Sequence, residues 1–111
     1  MPKVQVFEPA MCCSTGVCGP SVDPELVRFA ADCDWLTENG VIVERHNLSN
    51  DPLAFASNPA VQDLLRTLGP MCLPITLVDG KVLCTGLYPS RAQLAEKLGL
   101  RVGPARSVRS C

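Results

Sequence analysis

Cys12, Cys13 and Cys18 fall within seven residues near the start of the chain, in the loop Pro9 to Pro20 that follows a strand-like run. A bridge between the adjacent Cys12 and Cys13 would close a small strained ring, whereas disulfide geometry needs separated, facing Cβ atoms. The spacing therefore favours thiolate chemistry, either ligation or reactivity, over a disulfide staple. Gly16 and Gly19 permit tight or left-handed backbone angles, so the loop can fold back and bring Cys18 beside the vicinal pair. The chain holds seven cysteines, an odd number, and opens without the long apolar core of a signal peptide. Both features point to reduced thiols in a cytoplasmic protein, because glutathione and thioredoxin oppose disulfides there.

Two other uses of these thiols fit poorly. Zinc prefers four ligands in a tetrahedron, and the one histidine, His46, lies at the far end of a later strand. It reads as a strand-end surface residue. A thioredoxin-type thiol oxidoreductase would place Cys-x-x-Cys at the start of a helix, but four residues separate Cys13 from Cys18. That enzyme is an alternative reading rather than the leading one.

The elements that must position the thiols follow from periodicity. Lys3 to Glu8 alternates as a strand. Asp23 before Pro24 marks a helix start, with Leu26, Phe29, Ala30, Cys33 and Leu36 at helical spacing until Asn39-Gly40. Val41 to His46 reads as a second strand, parallel to the first. Asp51-Pro52 can begin a short turn, and Ser57 or Asn58 can cap a helix whose Val61, Leu64, Leu65 and Leu68 face inward until Gly69. Ile75 to Val78 and Lys81 to Thr85 flank Asp79-Gly80, the pair suited to a type I′ hairpin. Ser90 and Gln93 form a capping box for a last helix ended by Gly99. The order predicts an α/β, thioredoxin-like fold with a four-stranded mixed sheet flanked by helices. Residues 1–100 form that domain, and 101–111, with Arg101, Arg106, Arg109 and Cys111, form a flexible solvated tail.

With 111 residues and nearly half of them apolar, one core is expected. Phe7, Phe29, Trp35 and Phe55 read as packing residues, with no interleaved basic residues to make a nucleic-acid platform. A formal charge of −1 gives no chain-wide field to attract DNA or anionic lipid, and no run is long enough to span a membrane.

Met11-Cys12-Cys13-Ser14-Thr15-Gly16-Val17-Cys18-Gly19, with the flanking Phe7-Glu8-Pro9-Ala10, Leu73-Pro74, Val78-Asp79-Gly80 and Tyr88-Pro89, resembles the ArsD family of arsenical-resistance metallochaperones. The resemblance covers residues 3 to about 100 and implies a non-enzymatic carrier. Its cargo, As(III) or Sb(III), would sit on Cys12, Cys13 and Cys18 and pass to an arsenite efflux ATPase. It further implies a homodimer, cargo received from glutathione complexes, no permanent cofactor, and weak repression at operator DNA. A metalloid-responsive repressor is the alternative, made less favoured by the small negative charge and the absence of a clear helix-turn-helix pattern. An arsenate reductase would need an oxyanion cradle, and Pro9 to Pro20 contains no basic residue.

Trivalent arsenic is soft and pyramidal, so three thiolates suit it. The N-terminus of the helix at Asp23 favours thiolates, while Asp23 and Glu8 oppose that effect. Cys33 and Cys84 read as small buried hydrophobes. In thioredoxin-like folds the proline matching Pro74 is cis and sets its loop against the first βα loop. Cys72 is therefore either a passive packed thiol or a shuttle that can bridge to the trio on oxidation. A single Cys111 replaces the vicinal tail pairs of some family members, so tail metalloid sites are not expected.

Overall fold

A computed structural model of the chain describes residues 2–10 and 23–100. The tail, 101–111, lies outside them. The sheet is built around β1 (Lys3–Glu8), which has a parallel neighbour on one side and an antiparallel one on the other. β2 (Ile42–Asn47) pairs parallel, from Lys3 opposite Ile42 to Glu8 opposite Asn47. β3 (Ile75–Val78) pairs antiparallel, from Val4 opposite Val78 to Phe7 opposite Ile75. β4 (Lys81–Thr85) completes the order β2-β1-β3-β4 through an antiparallel ladder with a register shift between Thr76 and Leu77. This is the mixed four-stranded sheet anticipated.

Period-two alternation decides which helices cover which face. Val4, Val6 and Val78 pack with Phe29, Cys33 and Leu36 of α1 (Pro24–Glu38) and Leu94 of α4 (Arg91–Leu98). Phe7, Ile75 and Leu77 pack instead with Phe55 of α2 (Pro52–Ser57) and Val61 of α3 (Pro59–Leu68). Every residue of β3 is buried because both of its faces are covered.

Local signals set the boundaries. Asp23 accepts a hydrogen bond from the Glu25 amide at 3.0 Å. Asn58 accepts from the Ala60 and Val61 amides at 3.1 and 3.3 Å, settling which of Ser57 and Asn58 caps α3. Ser90 and Gln93 make both bonds of a capping box. Asp79 and Gly80 both take positive φ, 50° and 85°, as the hairpin turn requires.

Three expectations change. β2 runs one residue later than read from the sequence, ending at Asn47. Asp51-Pro52 opens a six-residue helix rather than a turn, because Phe55 packs edge-on against Phe7 with ring centres 5.3 Å apart. Leu68 is 53% exposed: burial along α3 fades from Val61 at its start, through half-buried Leu64 and Leu65, to the last turn. A 3₁₀ turn over Pro70–Cys72, which has no clear sequence signal, then leads into β3.

Candidate functional site

Cys12, Cys13 and Cys18 lie outside the described residues, so the structure bears on the frame that carries them. They belong to the connection between the end of β1 and the start of α1. That connection leaves from the carboxyl end of the parallel pair, the edge where open α/β sheets place their sites.

The frame is held by a buried polar knot. Glu8, the last residue of β1, is fully buried. Its carboxylate accepts from Arg45 Nε at 2.7 Å and Nη2 at 2.6 Å, a bidentate pair across the β1–β2 ladder, and from the Tyr88 hydroxyl at 2.6 Å. Arg45 also lies 5.1 Å over the Phe29 ring, and Phe29 packs 4.6 Å from Tyr88. Burial alone would lower the pKa of Arg45, but the hydrogen bonds and charge of Glu8 outweigh it and hold the guanidinium protonated. Burial, then the adjacent Glu8 carboxylate, push the Tyr88 phenol well above its usual range. The sequence places Glu8 as a charge opposing thiolates in the neighbouring loop; the structure pairs it with Arg45, and the thiols of that loop lie outside the described residues.

A second polar group ties the same region to α4. Asp32 is nearly buried and receives Arg28 Nη1 at 2.7 Å and Arg91 Nε at 2.8 Å. Arg28 Nη1 also donates to the Pro89 carbonyl at 2.8 Å, and Arg91 sits 5.0 Å over the Trp35 ring.

The remaining described cysteines are poor ligands as placed. Cys33 is 7% exposed, and burial above all pushes its thiol up to about 11, with Arg45 easing the rise and Glu8, Asp32 and Asp34 adding to it. Cys72 is buried among Phe7, Phe55, Leu73 and Ile75, and burial raises its thiol too. It is a packed thiol in this structure, and any link to the trio falls outside the described residues. Its loop has the expected cis Leu73–Pro74 bond, and the Gly86 amide donates to the carbonyls of Cys72 and Pro74 at 2.9 and 3.0 Å. Cys84 is half-buried rather than a core residue, because β4 is an edge strand; its thiol donates to the Leu87 carbonyl at 3.3 Å. Thr76, across the ladder from Cys84, is buried with no hydroxyl partner in hydrogen-bonding geometry, so the rise at the Cys84 thiol is assigned to burial.

His46 is not a plain surface residue. Its Nδ1 meets Asp51 at 2.5 Å, its Nε2 meets Glu44 at 3.4 Å, and its ring packs 5.2 Å from Phe7. Among the described residues, no three His, Cys, Asp or Glu side chains cluster so as to hold a metal ion, and no helix is long and apolar enough to cross a membrane.

A profile of the family described as Arsenical resistance operon protein ArsD matches residues 1–110. The chain belongs to the ArsD family. It is 47% identical over 100 residues to an Arsenical resistance operon trans-acting repressor ArsD of Escherichia coli, covering 90% of this chain and 83% of that protein. A second Escherichia coli protein of the same name is 46% identical over 110 residues, covering 96% of this chain and 92% of its own length. In structure the chain is similar to an arsenical resistance operon trans-acting repressor from Bacteroides vulgatus solved by crystallography. The TM-score is 0.84 at 44% identity, covering 93% of this chain and 97% of the other.

Family membership agrees with the cysteine-loop motif from which the resemblance was read. Arg45 and Tyr88 were not singled out in sequence as parts of the site's frame. The one available signal for Arg45 was its alternation with Val43 on the inward face of β2.

Proposed function

We propose that this ArsD-family chain binds As(III) or Sb(III) as cargo through Cys12, Cys13 and Cys18 and passes it to an arsenite efflux ATPase. The observation that carries this reading is the contrast among the thiols. Cys33, Cys72 and Cys84 are each driven toward the protonated form by burial. The trio belongs instead to the segment of chain between β1 and α1 and carries the Cys-Cys-x4-Cys spacing on which the resemblance rests. Three soft ligands complete the pyramidal shell of a trivalent metalloid. Transfer then proceeds by exchange: an incoming thiolate forms a new sulfur–metalloid bond as one donor bond breaks, and the proton released by the incoming thiol ends on the departing cysteine. Disulfides exchange through mixed species in the same way. A glutathione complex can deliver the cargo by the reverse steps.

Repression at operator DNA is the second reading, favoured by the repressor names of the relatives. It calls for a homodimer matching a two-fold operator. Arsenite titration of the reduced chain, followed by addition of the ATPase, tests the carrier. The expected results are uptake of one metalloid per chain and faster release once the ATPase is present. A salt-dependent shift of promoter DNA at sub-micromolar protein, without arsenite uptake, would put the repressor first.

A further inference from the structure

β2 and β4 are the two edges of the sheet, and they are finished differently. An edge strand presents a row of unpaired amides and carbonyls, which proteins blunt with charged side chains or cover with another element. β2 carries such charges: Glu44 pairs with Lys3, Arg45 with Glu8 and His46 with Asp51. β4, Lys81-Val82-Leu83-Cys84-Thr85, has one charge, at its first position. Among the described residues its backbone hydrogen-bonds to β3 alone, and its outer side is left open.

Apolar side chains lie short of cover on both faces of this edge. Val82 stands opposite Leu77, on the face packed by α2 and α3, yet it is 43% exposed and outside the cluster formed there. Leu83 belongs to the other face, where it lines a cleft of about 290 Å³ between β4 and α4 together with Gln93, Glu96 and Lys97. A strand laid along β4 would satisfy the open backbone groups, cover Val82 on one face and close the cleft on the other. A second β4 suits this place. Antiparallel pairing of a strand with its own copy is two-fold symmetric, so each edge supplies what the other lacks and the contact closes without growing into a fibre. The same axis sets two clefts against each other, each with one carboxylate and one ammonium, so that Glu96 of either copy meets a lysine and Lys97 a glutamate.

We propose that two copies of this chain associate through β4, antiparallel about a two-fold axis, joining their sheets into one of twice the strands and covering Val82 and Leu83 on its two faces. The contact bears on the repressor reading, which calls for a two-fold dimer, and makes no use of the cysteine loop.

The test is sedimentation equilibrium of the reduced full chain without metalloid, over a range of micromolar concentrations. It compares the parent with Val82→Lys, with Lys97→Glu, with Glu96→Lys and Lys97→Glu together, and with Ile42→Lys on the opposite edge. All four positions are exposed, so the substitutions leave the core intact. Expected are a dimer for the parent and for Ile42→Lys, and a monomer for Val82→Lys, whose ammonium blocks strand pairing. Lys97→Glu should weaken association about tenfold, since a lost rim pair counts twice by symmetry, and the double swap should restore it. A monomeric parent overturns the proposal and leaves an extended segment of another protein as the occupant of the edge. A dimer that survives Val82→Lys and Lys97→Glu, or that Ile42→Lys breaks, overturns it as well by placing the contact elsewhere. Arsenite is absent throughout, so a failure here is distinct from a failure of the carrier reading.

Discussion

Tyr88 and Glu8, 80 positions apart in sequence, meet in a 2.6 Å hydrogen bond from phenol to carboxylate at the end of the central strand. The carboxylate is fully buried and satisfied twice more by Arg45, whose own side chain is 14% exposed. The knot is therefore a set in which each member depends on the others.

Removing only the acid should be costly. Glu8→Ala leaves the Arg45 guanidinium inside the protein without its partner, and the expected loss is about 3–5 kcal/mol by urea unfolding. Replacing Arg45 by Met as well should recover part of that loss, because the stranded charge is gone. A Glu8→Ala chain that unfolds at the parental urea midpoint would contradict the buried pairing.

Asn58 holds two amides of α3 with one side-chain oxygen. Asn58→Ala should cost about 1 kcal/mol, and Asn58→Asp nearly nothing, since aspartate caps equally well. Thermal unfolding of the three chains checks this, and equal midpoints for Ala and Asn would remove the cap from the account.

The buried thiols predict a pH dependence with a definite sign. The folded state raises Cys33 from 9.0 to about 11, so the fold prefers the protonated thiol. Its contribution is fully present below about pH 9 and is lost as pH rises toward about 11. Tyr88, raised as well, adds a loss of the same sign at still higher pH. Urea midpoints near pH 8 and near pH 10.5 should fall more for the parent than for Cys33→Val. At neutral pH a thiol reagent should leave Cys33 and Cys72 unmodified in the folded chain, and rapid labelling of either would contradict their burial.

Much of the fold was legible because its signals are local. Asp23, Asn58 and the Ser90–Gln93 box start helices within a few residues of their own positions, and Asp79-Gly80 needs only its two flanking strands. The six-residue α2 was not legible, since Phe55 is held by Phe7, which comes from the other end of the chain. Nor was the role of His46 visible: its ring is set by Asp51 and Phe7 rather than by its place at a strand end. The spacing of Cys12, Cys13 and Cys18 is a local sequence feature, and these residues lie outside the described ones. The pairing at the end of β1 was not legible, because Arg45 and Tyr88 reach Glu8 from 37 and 80 positions away, and the Tyr88-Pro89 pair, though noticed, does not say what the phenol meets.

The central claim is that Cys12, Cys13 and Cys18 together hold one metalloid, and arsenite stoichiometry of single serine variants tests it most directly. The account predicts one tightly bound arsenite per parent chain, loss of tight binding in Cys12→Ser, Cys13→Ser and Cys18→Ser, and retention in Cys33→Ser and Cys84→Ser. Normal binding by the first three variants would contradict it.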